Sequence, residues 1–459
     1  MVDRRDVRRL TGSLAIALAL VAKSAHADES EAMASMRAEL EAQKKAREEL
    51  AELAAKVEEQ KKEETHFIGY VHADWTVFRQ SSQDEITPAG EPINENRFVI
   101  RRARFGMETD RGLYHGQILL DANTIQGFQV RPWIAELSLK WPETTKMASP
   151  AILASRSSDS PWFIVTTGLL ITPFGHDVAE LESARPFLER TTFANALVPQ
   201  SYDLGLRILG GYKVLNWAFA VLNGDPIGEK TFPGRDPNES KDLVFRVGAA
   251  SEATSFLRGS FGVSGLSGRG FHKGTPATKD QLVWRDENED GLVTVNELRN
   301  AAGSPATPSQ NFSRFALGAD LRVEADLPTL GTLAVQGEVV RAKNVDRGLF
   351  VADPVATGRD LRELGWSLSV TQEVTKWVLV GVRHDEYDPD ADANEQRPFA
   401  VVPKDASYRT WSFMTTFRYK TVKVVAQYDV RANALGRDAN GAPTTLADDS
   451  FTLRAAVGF

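Results

Sequence analysis

The chain has 459 residues, no cysteine, and 54 Lys and Arg against 62 Asp and Glu, a formal net charge of −8. Without cysteine there is no disulfide, thiolate metal site or thiol redox chemistry, and the acidic balance argues against nucleic acid as a partner. No linker or shift in composition divides the chain after residue 66, so one large unit fits better than several soluble domains.

Residues 1–27 read as an export signal: Arg4, Arg5, Arg8 and Arg9 precede an apolar core from Leu14 to Ala22, and Ala25-His26-Ala27 forms a small-x-small cleavage site. Without these residues, which hold five basic and two acidic side chains, 49 Lys and Arg face 60 Asp and Glu. No later run of 18 apolar residues is long enough for a spanning helix. An exported chain of this kind is periplasmic, secreted, or an outer-membrane barrel.

Residues 28–64 are rich in Ala, Glu, Lys and Arg, with Met36, Leu40, Gln43, Arg47, Leu50, Ala54 and Val57 at steps of four and three. This heptad spacing predicts a short periplasmic coiled-coil helix. A solvated single helix or a charged tether is the alternative.

From residue 66 to 459 sixteen strand-like segments follow, clearest at Tyr114 to Ala122, Trp133 to Trp141, Phe315 to Ala325, Trp411 to Tyr419, Val422 to Val430 and Phe451 to Phe459. In the last, Phe451, Leu453, Ala455, Val457 and Phe459 alternate with Thr452, Arg454, Ala456 and Gly458. Such alternation suits a lipid-facing barrel or a soluble sandwich equally. Connection length separates them, because outer-membrane barrels alternate short periplasmic turns with long external loops. Odd connections are long (about 80–95, 123–131, 173–201, 223–240, 267–311, 344–360, 388–407 and 432–448). Most even ones are tight, at Arg111-Gly112, Gly211-Tyr212, Ala253-Thr254, Asp326 to Thr329, Val374-Thr375 and Lys420-Thr421. The stretch Pro142 to Ser160 breaks the rule unless its flanking strands run further. The prediction is all-β: a 16-stranded antiparallel transmembrane β-barrel in a Gram-negative outer membrane, wide enough to carry water unless plugged. Trp75, Trp133, Trp141, Trp217, Trp377, Trp411, Tyr70, Tyr419, Tyr428 and Phe459 lie near strand ends, as interfacial girdles would place them.

One odd connection stands apart. Residues 171–203 mix Pro173, Gly175 and Pro199 with a brief acidic helical run, and a long irregular segment inside a β domain is usually functional. It is expected to fold into the lumen and constrict it. Polar strand parity then gives a lining of Arg102, Arg104, Lys140, Arg207, Arg246, Arg258, Arg322, Arg418, Lys423 and Arg454, with Asp121, Glu136, Asp320, Glu324, Glu338 and Asp429 among them. The constriction adds Arg185 and Arg190 beside Asp177, Glu180, Glu182 and Glu189. A basic lining favours small anions, unless these charges only satisfy one another across strands. Arg101 and Arg102 point to opposite faces of a regular strand, so either Arg101 lies near headgroups or the register breaks there.

The stretches FVIRRARFGMETD (Phe98 to Asp110), GLLITPFGHDVAELESARPFLERTTFANALVPQSYDLGLRILG (Gly168 to Gly210) and AFAVLNGDP (Ala218 to Pro226) resemble the phosphate-selective porin O/P family, over roughly Phe67 to Phe459. The resemblance implies passive anion transport, phosphate as a candidate solute, and a homotrimer carrying the N-terminal helix. The family's lumenal lysine set has no match here.

Within the connection 267–311, DENEDGLVTVNE (Asp286 to Glu297) fits the calcium-loop pattern. Asp286, Asn288, Asp290, the Leu292 carbonyl, Thr294 and Glu297 would be the ligands, Gly291 would make the turn, and Glu297 to Ala302 would be an exit helix. A structural Ca2+ ordering an external loop is expected. The seven histidines show no metal-protease spacing, and there is neither a nucleophile elbow nor a phosphate loop, so enzyme activity is not expected.

Overall fold

The computed structural model describes residues 40–45, 47, 49, 65–79, 82–86, 92–125, 130–147, 158–225, 238–254, 256–397, 399–434, 436–437, 443–446 and 448–459. The chain separates into two units, 1–64 and 65–459. In the first, the described residues between 40 and 49 are helical; the export signal and most of the heptad seam lie outside the described residues.

The second unit is a closed antiparallel barrel of sixteen strands. They are β1 (Thr65–Phe78), β2 (Arg97–Arg111), β3 (Tyr114–Asp121), β4 (Arg131–Trp141), β5 (Ser158–Ile171), β6 (Tyr202–Lys213), β7 (Leu215–Leu222) and β8 (Asp242–Thr254), then β9 (Leu257–His272), β10 (Gln310–Asp326), β11 (Thr332–Lys343), β12 (Arg362–Thr375), β13 (Val378–Asp388), β14 (Tyr408–Tyr419), β15 (Val422–Ala432) and β16 (Ser450–Gly458). Each pairs with its chain neighbours, and β1 closes on β16 from Tyr70 opposite Gly458 to Phe78 opposite Ser450. Closure leaves no free edge, so the wall amides pair with neighbouring strands rather than with solvent along the regular parts of the ladder.

Alternation decides the two faces. In β16, Phe451, Leu453, Ala455 and Val457 are exposed while Ser450, Thr452, Arg454 and Ala456 are buried. The same split runs along β10 and β14, so the outer wall is apolar and the inner wall polar. Such a wall suits lipid outside and water or protein inside. Trp75, Trp141, Trp377, Trp411, Tyr419, Tyr428 and Phe459 are exposed on it. Tyr70 and Trp133 depart from the girdle expectation and turn inward. A register shift between Leu119 and Leu120 leaves Trp133 as an extra residue in β4, and the bulge aims its ring into the lumen.

Long connections follow the odd strands. Most reversals after even strands are short, though two fall slightly beyond the expected positions: Gly211-Tyr212 and Ala253-Thr254 continue as strand, and the chain turns at Val214 and before Leu257. The stretch 142–157 stays long, because β5 begins only at Ser158.

Candidate functional site: a loop folded into the barrel

The inner wall is not uniformly polar. Ala220 and Leu222 of β7, Val244 of β8, Leu266 of β9, Ala316 of β10, and Val340 and Ala342 of β11 are inward, buried and apolar. Against them packs one side of the connection between β5 and β6, through Phe174, Val178, Phe193, Leu197 and Val198. Each buried side chain of this size stabilises the docked loop by about 1.5–3 kcal/mol. The largest apolar core therefore lies inside the lumen, between loop and wall.

Polar contacts fix the loop's path. Gly175 has φ +64, and its N–H donates to Ser264 Oγ at 2.9 Å. The next two amides, His176 and Asp177, donate to one carboxyl oxygen of Glu338 at 3.2 and 2.9 Å. The acidic run near 177–182 makes turns rather than a helix; the helix is α1 (Thr192–Leu197). Its first turn is held by Asp177, which accepts from the Thr191 amide and hydroxyl, both at 2.7 Å, and by Asp385, which accepts from the Thr192 amide at 2.9 Å. Carboxylates suit the amide-rich end of a helix. At the other end Arg347 donates to the Leu197 carbonyl at 3.0 Å, and the Arg347 and Gly348 amides donate to the Ala196 carbonyl at 2.9 Å. Arg347 comes from the connection between β11 and β12, a second inward loop that sequence reading did not foresee. Its guanidinium also reaches Asp242 at 3.2 Å, beside Arg314.

The opposite side of the loop is acidic and faces arginines of β1, β2 and β16. A register shift between His72 and Ala73 makes Arg101 the extra residue of a bulge, so Arg101 and Arg102 both point into the lumen. Both bind Glu189: Arg101 through Nε at 3.0 Å, Arg102 as a two-pronged pair at 3.1 and 2.8 Å. Arg454 adds a bond to Glu189 at 2.8 Å, grips Asp74 with two bonds of 2.7 Å, and donates to the Leu188 carbonyl at 2.8 Å. Burial raises the Glu189 carboxyl, but Arg101, Arg102 and Arg454 outweigh it and hold the group well below the ordinary range. Alongside, Arg104 pairs with Glu182, which also accepts from the Tyr70 hydroxyl at 3.1 Å. The Trp133 ring lies 3.7 Å from the Arg104 guanidinium.

The other expected lining residues are equally engaged. Arg185 folds back on the Asp177 and Glu180 carbonyls, and Arg190 donates to the Val198 carbonyl and Ser201. Burial, with Arg185 nearby, lowers Arg190 to about 9. Arg207 donates to the Ile171 carbonyl, Arg246 to the Gly175 carbonyl and Asp320, and Lys140 to Asp110. Toward the short-turn end Arg258 meets Glu324 and Asp326, Arg322 meets Glu324, Arg418 meets Glu373, and Lys423 donates to the Ser183 carbonyl. Of the acidic set, Asp121 lies 3.6 Å from Arg104, Glu136 lies 3.7 Å from Arg207, and Asp429 meets Arg431. Some of these contacts are cross-strand pairs, such as Arg258 with Glu324 and Arg246 with Asp320; others reach loop carbonyls or a residue two positions along the same strand. Arg314 and Arg383 are also buried and inward, and they share the parity of Arg322 and Asp385, so strand parity alone could have found them.

The calcium-pattern loop caps a two-stranded ribbon, Gln281–Trp284 with Leu298–Ala301, so the expected exit helix is a strand. A single 3-10 turn, Val295–Glu297, precedes it. Gly291 has φ +73 and its amide donates to Asp286 at 2.7 Å, the turn such loops need. Asp290 accepts from the Leu292 amide, Asn288 from the Asp290 amide, and Glu297 from the Thr294 amide and hydroxyl. Among the described residues no three His, Cys, Asp or Glu side chains are grouped to hold a metal ion. The turn fits calcium; the acidic side chains are turned to the loop's own amides.

A closed barrel with an apolar outer wall and a loop tied across a charged lumen defines the class: a transmembrane β-barrel of the outer-membrane type. No family model matches the chain, and no curated protein does. Solved structures are similar in fold. The outer-membrane channel DcaP of Acinetobacter baumannii is 10% identical with a TM-score of 0.49, over 86% of this chain and 97% of that one. OmpT of Vibrio cholerae, in trimer form, and an anion-selective porin from Comamonas acidovorans are each 11% identical with a TM-score of 0.47, over 86% of this chain and 99% of theirs. At such scores the likeness carries no argument about solute or assembly.

Proposed function

We propose that this protein is a porin: a passive diffusion channel for small solutes, narrowed by residues 172–201, with a modest preference for small anions. The observation that carries the reading is the charge arrangement at Glu189. Three guanidiniums, Arg101, Arg102 and Arg454, meet one half-exposed loop carboxylate and Asp74. Solvent reaches this cluster at Arg101 and Glu189, and guanidiniums gathered at such a point lower the barrier for anions. Phosphate is the narrower candidate implied by the O/P resemblance. To be bound there it would have to displace Glu189 from Arg102, a two-pronged partner that suits either group.

Single-channel recording of the refolded protein under a KCl gradient tests this. The expected result is small steps with an anion-favouring reversal potential, and block of chloride current by added phosphate if phosphate binds. A cation-favouring potential would remove the anion reading. Steps indifferent to phosphate would leave a general porin, and absence of steps from folded protein would favour a tether to the cell wall.

Homotrimeric assembly belongs to the same proposal, supported by the heptad pattern of residues 28–64. So does Ca2+ at Asp286, Asn288, Asp290, Leu292, Thr294 and Glu297, supported by the twelve-residue pattern and its Asp286 to Gly291 turn. Binding would draw Asp290 and Glu297 away from the amides they now accept.

A further inference from the structure

Among the described residues, outward charge at the long-loop end gathers on β9 to β14, where Glu386 and Asp388 of β13 and Arg409 of β14 face outward beside the cations of β9, β11 and β12. At that level β1, β2 and β16 present Trp75, Phe98 and Phe451, whose rings pack together. On β9, β11 and β12 the outward positions are Arg269, Arg341, Lys343 and Arg362. Register brings them together: Lys343 lies opposite Arg362, and Arg341 is two residues below Lys343 on the same face, opposite Leu364. Adjacent strands are about 4.8 Å apart and same-face neighbours about 7 Å, so Arg341, Lys343 and Arg362 fit around one or two phosphate groups.

Directly below, toward the middle of the wall, the outward residues of β10, β11 and β12 are apolar, while on β13 Glu386 faces outward opposite Trp366 and is held by Arg409 at 3.1 Å. Val339, Leu317, Leu364, Trp366 and Leu368 are exposed, and Trp366 and Trp411 flank the His384 ring at 5.0 and 4.5 Å between centroids. A cationic row above an aromatic and aliphatic band matches the order of a lipid: charged headgroup above acyl chains. The existing partners are weak competitors. Lys343 meets Asp360 at 2.7 Å and Arg362 meets Asp392 at 3.0 Å, each pair about half exposed, and exposed pairs of this kind add little. Among the described residues the Arg341 side chain makes no ion pair, although an arginine facing lipid is unfavourable unless it lies at headgroup level.

We infer that Arg341, Lys343 and Arg362 form a binding site on the lipid-facing wall for the phosphate groups of an anionic outer-leaflet glycolipid. The inference rests on the outer-membrane reading of the wall and is independent of what the lumen conducts.

The test uses the full-length protein in detergent micelles and native mass spectrometry with bis-phosphorylated lipid A and its dephosphorylated form. The wild type should bind the phosphorylated lipid about tenfold or more tightly than the dephosphorylated one, as expected for a few surface cations. Arg341→Ser/Lys343→Ser/Arg362→Ser should lose that preference while keeping its single-channel conductance. Equal binding of the two lipids by the wild type, or a preference surviving in the triple variant, overturns the site. Displacement by inorganic phosphate at equal concentration would assign the cations to a soluble anion and overturn the lipid reading. If the triple variant does not refold, Arg341→Gln alone should weaken the preference severalfold, and an unchanged preference overturns the proposal.

Discussion

Glu189 is the residue on which most of the lumenal charge converges, and its environment sets two expectations. Replacing it with Gln keeps the shape and removes one negative charge beside three guanidiniums, so the reversal potential in a KCl gradient should move further toward anions. An unchanged potential would show that ions pass elsewhere. The second concerns pH. A carboxyl held well below its ordinary value contributes stability that is complete above about pH 4.3 and is lost as pH falls through the lower folded value. Single-channel conductance should therefore stay level from about pH 8 to about pH 5 and rise only below about pH 4, as the loop leaves the arginine wall. A step between pH 7 and 5 would assign control to another group. Arg454 acts on both Glu189 and Asp74, and Asp74 is 6% exposed. Arg454→Ala leaves a buried carboxylate without its partner and should destabilise the barrel by about 3–5 kcal/mol, read as a lower urea midpoint.

Among the elements, the β5 to β6 connection shows what was legible and what was not. Its length, prolines and acidic run marked it as an inward loop; a second signal, the inward apolar run of Ala220, Leu222, Val244 and Leu266 on the wall it docks against, went unread. That second signal was present in the strand parity, since a water-lined wall has little use for leucine at those positions. Gly175 is the hinge of the docking. A Cβ there would lie 2.0 Å from Glu338 Oε1, and the residue has φ +64. Gly175→Ala should weaken the docking by about 1–3 kcal/mol and speed proteolytic cleavage within 172–201; unchanged protease sensitivity would mean that Gly175 is not the hinge. For the external ribbon loop, Asp286→Ala/Glu297→Ala should abolish any protection from protease that Ca2+ gives the wild type. Protease sensitivity of the wild type that chelator does not alter would remove calcium from the account.

At the scale of the molecule, closure and the lumen's ion pairs act together. Arg454 and Asp74, 380 residues apart, join the first strand to the last, and Arg454 also reaches Glu189, 265 residues away. With no free edge and its interior tied by such pairs, the barrel should resist SDS at room temperature and run as a compact species, shifting to its full apparent mass only after boiling. A single mobility before and after heating would argue against the closed barrel. The two inward loops are part of this scale as well: Arg347 from one caps the helix of the other, so the second loop stabilises the first.

The sequence by itself determined the strands, their two faces and the parity of long and short connections, because alternation and turn chemistry are local properties of neighbouring residues. It also singled out residues 171–203 and a set of basic side chains as candidates for the lumen. Only the tertiary structure decided that Arg101 joins Arg102 inside the barrel, since a bulge is a mismatch between two strands and leaves no mark in one of them. The partner of each arginine was likewise undecided, as Glu189, Asp74 and Arg454 meet only when the barrel closes and the loop docks, through contacts between residues hundreds of positions apart.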